Sequence, residues 1–270
     1  MVSILFLVTA SGQTTSEYSE KNWYQPSLHT SWQWQLSKKI NTTYNVKMYD
    51  VDLFDTNPAL IQKLHNKGKK IICYFSAGSY ENWRSDINAF SKKSRGEVMD
   101  GWENEQWLDI RDESLHSIMI LRLDLAKEKG CDGVEPDNVD GYLNQTGFNL
   151  SFNDQLKYNK FIAKEAHTRG LSVGLKNDLE QVVLLEPYFD FSVNEQCHEY
   201  EECEMLLPFI EHSKPVFNAE YQKKYIKNTA NERDRMCEST VNMSFSTLVL
   251  PLDLDDSFRY SCTPDVETLR

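Results

Sequence analysis

Strand-like runs alternate with helical patterns along most of this chain of 270 residues, and this alternation restricts its fold more than any other feature. Residues 70–76 (KIICYFS) form an almost continuous apolar run, which is typical of a strand buried on both faces. The pattern at 114–129 is helical and stops at Gly130, because glycine commonly ends a helix. Eight strand-like runs occur, centred near residues 33, 50, 73, 135, 174, 193, 217 and 248.

Eight strand–helix units in a chain of this length predict an α/β protein built as a single-domain (β/α)8 TIM barrel. An open, doubly wound sheet is the alternative. A glycine-rich nucleotide loop follows none of the runs, since the turn SAGSY at 76–80 lacks the required glycine spacing. The segment 79–113 is interpreted as a long loop, and loops of this length are often functional.

The formal net charge of −12 argues against nucleic acid or an anionic membrane surface as a partner. The same charge is compatible with a cationic substrate, and also with solubility alone. No apolar run approaches the roughly 20 residues that a membrane helix requires. We therefore expect a folded protein with neither a nucleic-acid nor a membrane partner, and we expect it to be a monomer.

The N-terminal residues MVSILFLVTASGQ form a short apolar stretch that ends in small residues, like the end of a signal peptide, but without the usual positive charges. We expect 1–25 to be a residual signal peptide or a flexible segment and 26–270 to form the barrel; an ordinary first strand is the alternative. Four sequons add weak support for a glycoprotein, at Asn41, Asn144, Asn149 and Asn242. The chain is predicted to be secreted, and extracellular or associated with a cell wall.

The six cysteines permit disulfides, and their positions suggest some pairs over others. Two pairs lie outside the strand-like runs, Cys197 with Cys203 and Cys237 with Cys262. Cys73 and Cys131 lie in apolar runs, where a buried free thiol is the simplest expectation. The sequence contains neither a CxxC pair nor the Asp-x-Asp-x-Asp-Gly spacing of a calcium loop, so neither a metal nor another cofactor is expected.

Polar side chains gather at the carboxyl ends of nearly all the predicted strands, whereas the amino ends carry mainly Lys and Gly. The stretch CDGVEPDNVDG at 131–141 alone contains four carboxylates in eleven positions and no lysine or arginine. The carboxyl ends of the strands form the active face of a TIM barrel, so we expect a site there. The polar residues at these ends include Asp50, Asp52, Tyr74, Glu135, Asp137, Asp140, Lys176, Glu195, Asn218 and Glu220.

Carboxylates dominate this set, and paired carboxylates on a barrel face are the machinery of glycoside hydrolysis. Glu135 and Asp137 are two residues apart on one strand, so both are expected to face the barrel axis. Lys176 on the next strand is expected either to pair with the deeper carboxylate or to contact substrate. Trp34 and Tyr74 lie near the same rim and are candidates to stack on sugar rings, with core packing as the alternative.

Eight short motifs between about Trp32 and Asp253, in this order and spacing, resemble the α-1,4-polygalactosaminidases of glycoside hydrolase family 114. They are WQWQL, YDVDLFD, ICYFSAGSYENWR, CDGVEPDNVDGY, GLSVGLKND, FDFSVNEQC, KPVFNAEY and FSTLVLPLD. The resemblance implies a (β/α)8 barrel that cuts chains of α-1,4-linked galactosamine internally. It also implies Asp137 and Glu195 as the catalytic pair, and similarity to retaining barrel glycosidases implies that Asp137 is the nucleophile and Glu195 the acid/base.

The remaining candidates are expected to bind the substrate, a cationic galactosamine-containing polysaccharide. They are Trp34, Asp50, Asp52, Tyr74, Glu135, Asp140, Lys176, Asn218 and Glu220. Deacetylated galactosamine polymers are positively charged, so an acidic cleft would attract them. Two other functions remain open on the residues alone: a non-catalytic lectin for amino-sugar polymers, and a glycosidase for another glycan.

Overall fold

A computed structural model describes residues 22–263. The predicted signal peptide lies almost entirely outside this range. Twelve strands occur in it: β1 (Trp32–Gln35), β2 (Met48–Asp52), β3 (Lys70–Ser76), β4 (Ser79–Glu81), β5 (Arg95–Met99), β6 (Trp102–Leu108), β7 (Gly133–Asp137), β8 (Ser172–Lys176), β9 (Phe191–Glu195), β10 (Val216–Glu220), β11 (Ser246–Val249) and β12 (Tyr260–Ser261). The α-helices are α1 (Pro58–His65), α2 (Glu113–Lys129), α3 (Phe152–Thr168), α4 (Val182–Leu185), α5 (Leu207–Glu211), α6 (Lys223–Ile226) and α7 (Glu232–Asn242).

The main sheet contains eight parallel strands, which confirms the predicted (β/α)8 barrel. Its strand order is β1-β2-β3-β7-β8-β9-β10-β11, and β12 adds an antiparallel edge to β11. The Trp32 side chain joins the first and eighth strands, because its Nε1 donates a hydrogen bond to the Ser246 carbonyl oxygen over 2.9 Å, and its ring also packs on Phe217 of the seventh strand. All eight strand-like runs of the sequence are strands of this barrel.

The barrel has an apolar interior that is separate from the layer between the strands and the helices. Trp32, Met48, Ile72, Phe191 and Phe217 belong to the inner cluster, and residues one position away along the strands pack against the helices. Strand pleating explains this division, because successive side chains point to opposite faces. The inner cluster fills the barrel interior and reaches the cleft at Trp34.

The segment interpreted as a long loop contains a small antiparallel sheet with the order β4-β6-β5. The first three residues of β6 are exposed, so this strand lacks the apolar pattern by which a buried strand is recognised. Gly78, between β3 and β4, has no room for a Cβ atom because the Asn138 carbonyl oxygen occupies that position. This close approach holds the small sheet against the carboxyl ends of the barrel strands.

Three disulfides join the six cysteines: Cys73–Cys131, Cys197–Cys203 and Cys237–Cys262. The expectation that Cys73 and Cys131 are free thiols was wrong. Cys73 lies in β3 and Cys131 just before β7, and these two strands are parallel neighbours, so their Cα atoms are 6.0 Å apart. Within residues 22–263, no helix is both long enough and apolar enough to span a membrane.

Candidate active site

A cleft with a cavity volume of about 560 Å³ lies between the carboxyl ends of the barrel strands and the small sheet. Six of the predicted site residues line it: Trp34, Tyr74, Asp137, Asp140, Lys176 and Glu195. They come from different strands, which the parallel register brings to one end of the barrel. Tyr74, for example, pairs with Glu135 across the β3–β7 ladder, one pleat below Asp137. The structure therefore brings together groups that are up to 161 positions apart in the sequence.

Lys176 lies at the centre of the polar groups and contacts three carboxylates. Its Nζ atom is 3.0 Å from Asp137, 3.2 Å from Glu135 and 3.3 Å from Glu195. The Trp34 ring lies on another side, with Nζ 4.9 Å from the ring centroid. Although burial opposes it, attraction to Asp137, Glu195 and Glu135 raises the pKa of Lys176 well above its usual value, so the lysine is charged.

Asp137 and Glu195 are each held by three donors. Asp137 accepts hydrogen bonds from the Tyr74 hydroxyl (3.0 Å), Lys176 and the Asn138 backbone N–H (2.8 Å). Glu195 lies near Lys176 and accepts from the Tyr221 hydroxyl at 2.6 Å and from Asn177 Nδ2 at 3.3 Å. Both side chains remain partly exposed, 18% for Asp137 and 25% for Glu195, so each can reach a bound molecule.

Left-handed backbone residues direct the chain sharply away from the strand ends next to both carboxylates. Asn138 follows Asp137 with a φ of 59°, and Gln196 follows Glu195 with a φ of 63°. Asn177, next to Lys176, has a φ of 46°. Asparagine tolerates this conformation better than most residues, because its short side chain can form local hydrogen bonds. Asparagine directly after a strand, as at Asn138, was therefore a local sequence signal of these turns.

Asp50 and Glu135 form a deeper, fully buried acidic layer beneath Lys176. Burial raises the pKa of Glu135 to about 7, opposed by the Lys176 ammonium. Burial and the neighbouring Glu135 raise the pKa of Asp50 well above its usual value, which favours the neutral form of this carboxyl group. Glu135 contacts Lys176, and Asp50 lies next to Glu135. Both carboxyl groups are therefore beneath the cleft surface and do not line it.

Two partly exposed carboxylates, Asp137 and Glu195, thus lie together on one face of a barrel. The model of glycoside-hydrolase family GH114 matches residues 13–267. The chain belongs to family GH114.

A crystal structure of Aspergillus fumigatus Ega3 in complex with galactosamine is similar to this GH114 chain, with 39% sequence identity and a TM-score of 0.84. The match covers 88% of this chain and 97% of the Ega3 chain. The glycoside hydrolase domain of PelA from Pseudomonas aeruginosa shares the fold, with a TM-score of 0.66 at 12% identity, over 84% of this chain and 97% of that one. No curated protein sequence matches the chain. Membership of family GH114 and the similarity to Ega3 confirm the predicted class of enzyme, a glycosidase.

Besides Asp50 and Glu135, three further predicted residues of this GH114 enzyme lie outside the cleft lining, namely Asp52, Asn218 and Glu220. Asp52 is buried and forms two hydrogen bonds with Arg84, at 3.0 and 2.7 Å. Glu220 accepts a hydrogen bond from the His198 backbone N–H, and Asn218 Nδ2 donates to the same glutamate oxygen. The apolar residue between them belongs to the barrel interior, so strand alternation directs Asn218 and Glu220 to the outer face. The alternation of inward and outward positions along β10 was a sequence signal that could have distinguished Asn218 and Glu220 from residues that face the barrel interior.

The small sheet adds residues to the GH114 cleft that the sequence reasoning did not single out. Trp102, Trp107 and Glu105 of β6 line the cleft, and Trp102 is 50% exposed. Glu105 accepts a hydrogen bond from Ser79 Oγ at 2.6 Å, and burial raises its pKa to about 7. No local pattern marks β6 as part of the site, because only tertiary packing brings it over the barrel.

One group of potential metal ligands occurs within residues 22–263, namely Cys197, His198 and Cys203. The two sulfur atoms are joined in a disulfide and are therefore not available as thiolate ligands. The group follows β9 and does not line the cleft.

Proposed function

We propose that this GH114 enzyme cleaves chains of α-1,4-linked galactosamine at internal bonds and retains the configuration of the anomeric carbon. The observation that carries the proposal is the pair Asp137 and Glu195, partly exposed in an acidic cleft and held on either side of one lysine. Similarity to Ega3, whose structure contains galactosamine, supports the choice of sugar. A lectin needs no such pair, so the geometry favours hydrolysis over binding alone.

The separation of the carboxylates supports retention. One oxygen of each lies near Lys176 Nζ, at 3.0 Å for Asp137 and 3.3 Å for Glu195, so these two oxygens are at most about 6.3 Å apart. Retaining glycosidases place their carboxyl groups about 5–5.5 Å apart, whereas inverting enzymes need about 6.5–9.5 Å to admit a water molecule. Contact of both carboxylates with one lysine therefore favours the shorter separation that retention uses.

In the proposed reaction, Asp137 attacks the anomeric carbon while Glu195 donates its proton to the departing glycosidic oxygen. The C–O bond to the leaving chain breaks, and an ester forms between Asp137 and the remaining sugar. Glu195, now ionised, removes a proton from a water molecule that attacks the same carbon. Asp137 leaves as a carboxylate, and its charge is stabilised by Tyr74, Lys176 and the Asn138 N–H.

An extracellular location is part of the proposal. All six cysteines are paired in disulfides, and disulfides persist in oxidising surroundings such as the extracellular space. A cationic polymer outside the cell would then meet a protein with a net charge of −12, which favours encounter at low salt.

The test uses the isosteric variants Asp137→Asn and Glu195→Gln with deacetylated α-1,4-galactosamine oligomers. We expect kcat to fall about 10³-fold or more in each, because the nucleophile or the proton donor is lost. Mass spectrometry of the products should show internal cuts by the wild type, and NMR should detect the α-anomer first. Glu128→Gln, an exposed change on α2 with the same charge loss, is the matched control and should remain active.

Several outcomes would contradict parts of the proposal. Substantial turnover by either variant would show that the pair is misassigned, provided that the melting temperature matches the wild type. Early release of the β-anomer would indicate inversion. Products of only one or two sugar units from the earliest time points would indicate cleavage from a chain end.

A further inference from the structure

A chain of hydrogen bonds connects Glu105, on the β6 wall of the cleft, with the residue that follows Asp137. Asn138 Nδ2 donates to Ser76 Oγ over 2.9 Å and also lies 3.3 Å from Ser79 Oγ. The two serine oxygens are 2.6 Å apart, and Ser79 Oγ donates to Glu105 Oε2 over 2.6 Å. Both serines are fully buried and Glu105 is 7% exposed, so little water competes for these bonds. The chain therefore joins the small sheet to the carboxyl end of β7 through the turn between β3 and β4.

The donors along this chain all point toward Glu105. A serine hydroxyl carries a single hydrogen, and Ser79 gives its hydrogen to Glu105. The hydrogen between the two serines must then come from Ser76, which accepts in turn from Asn138 Nδ2. Hydrogen bonds aligned in this way polarise one another, and a carboxylate at the end strengthens them further. Without the acceptor at Glu105, the Ser79 hydroxyl is a buried donor without a partner, and the order of donors in the chain is lost.

The same turn holds the proposed nucleophile. The backbone N–H groups of Ala77 and Gly78 donate to the Asp137 carbonyl oxygen, over 2.8 and 3.1 Å. Asn138 adopts the left-handed conformation, and its N–H donates to Asp137 Oδ1 over 2.8 Å. A left-handed backbone is unfavourable for residues other than glycine, so the contacts of the Asn138 side chain help to hold it. These contacts belong to the chain that ends at Glu105.

We propose that Glu105 is a positioning residue for Asp137, because it anchors the hydrogen-bond chain that fixes the Asn138 turn. This inference rests on the proposed function. The side-chain hydrogen bond of Glu105 within residues 22–263 goes to Ser79 rather than to Asp137, so Glu105 acts through the turn. Reacting atoms must be closely aligned, and a misplacement of about 1 Å can slow a reaction on the order of 100-fold. Glu105 therefore contributes to the rate of attack by Asp137 rather than to the affinity for the sugar chain.

The kinetic test breaks the bond between Ser79 and Glu105 from either side. We expect Glu105→Leu and Ser79→Ala each to lower kcat for galactosamine oligomers about tenfold, with KM within about twofold of the wild type. The double variant should also lose about tenfold rather than about 100-fold, because both changes break one hydrogen bond. Glu105→Gln keeps an oxygen that can accept from Ser79, so it should recover most of the rate. Glu103→Leu removes the same charge from an exposed position on the same strand and should match the wild type.

Three kinetic results would overturn the proposal in variants with the wild-type melting temperature. Wild-type kcat in Glu105→Leu would show that the anchor is not needed. A loss in the double variant equal to the product of the two single losses would show that Ser79 and Glu105 act separately. A higher KM with unchanged kcat in Glu105→Leu would show that Glu105 contacts the substrate instead of positioning Asp137.

The protonation of Glu105 gives a second way to observe the chain. Burial raises the pKa of Glu105 to about 7; Ser79 and Arg84 oppose this shift, whereas the carboxylates of Glu81 and Asp137 add to it. Protonation removes the negative charge from the end of the chain. The hydrogen bonds of the serines and the asparagine should therefore weaken as pH falls through about 7.

NMR spectroscopy tests this coupling independently of cleavage. The side-chain amide resonances of Asn138 should shift in the wild type with a midpoint near pH 7, and also in Glu103→Leu. The same component should be absent in Glu105→Gln, and this difference separates Glu105 from other carboxyl groups near Asn138. An identical titration in Glu105→Gln would refute the inference. If the wild type cuts no galactosamine oligomer, the proposed function fails, and the NMR result alone decides whether Glu105 anchors the turn.

Discussion

Lys176 is the residue on which the charge balance of the site depends. It is 2% exposed and lies within 3.3 Å of Glu135, Asp137 and Glu195, so its removal would leave three carboxylates facing one another. This buried lysine contacts both carboxylates of the proposed catalytic pair, Asp137 and Glu195. Of the two interpretations left open by the sequence, the structure shows the buried ion pair, and contact of Lys176 with substrate stays a prediction.

We expect Lys176→Met to lower the free energy of unfolding by about 3–5 kcal/mol, because breaking a buried ion pair leaves uncompensated charge. Urea denaturation measures this change, and Lys63→Met, an exposed substitution on α1, serves as the control. Adding Glu135→Gln to Lys176→Met should restore part of the lost stability by removing one of the repelling carboxylates. Wild-type stability for Lys176→Met alone would contradict the central role of this lysine.

The small sheet β4-β6-β5 forms one wall of the cleft, and Trp102 is its most exposed aromatic contribution there. Trp102 is not among the donors described for Asp137 and Glu195, so its contribution should be to binding. We expect Trp102→Ala to raise KM for long galactosamine oligomers about tenfold with little change in kcat, as loss of one aromatic stacking partner implies. Trp83 is equally exposed, at 50%, but lies outside the cleft lining, so Trp83→Ala is the matched control in the same steady-state kinetics. Equal KM values for the two variants would contradict a role of this wall in binding.

The disulfides join elements over very different distances in the sequence. Cys73–Cys131 spans 58 residues and links β3 to the start of β7, whereas Cys197–Cys203 spans only 6. Loop-closure entropy predicts a loss of about 4 kcal/mol for Cys73→Ala with Cys131→Ala, and of about 2 kcal/mol for Cys197→Ala with Cys203→Ala. Denaturant unfolding of the two double variants measures both values. The reverse order of stability would show that native-state packing, rather than chain entropy, decides their contributions.

The pH dependence of stability is a property of the whole molecule, because burial raises the pKa of acids in several places. These values are about 7 for Glu105, Glu135 and Glu220, about 6 for Asp140 and about 9 for Asp178. In the unfolded chain, such groups titrate near pH 4. The folded state therefore binds more protons than the unfolded state between about pH 4 and pH 9, and its stability falls as pH rises through this window.

We expect the melting temperature to decrease by on the order of 10 °C from pH 5 to pH 9, as several kcal/mol of linked protonation would produce. Differential scanning calorimetry at constant ionic strength measures this change. Glu220→Gln removes one of the titrating groups without altering the cleft lining. The melting temperature of this variant should therefore change less than that of the wild type between pH 5 and 8. A melting temperature that is constant or rises over this range would contradict the prediction.

The barrel and the end of it that carries the candidate site could both be predicted from the sequence. Hydrophobic periodicity is local, so each of the eight strands was recognisable from its own few residues. In a parallel barrel, the carboxyl ends of the strands must share one face, which is why the polar clusters there pointed to a single site. The short motifs around Asp137 and Glu195 were sufficient to indicate the family.

Which of these groups contact one another depends on long-range packing and could not be predicted from local patterns. The contacts of Lys176 with Asp137 and Glu195, the Cys73–Cys131 disulfide and the position of β6 over the cleft all join residues that are far apart in the chain. Such contacts depend on strand register, strand parity and barrel closure, and none of these is encoded in a single segment.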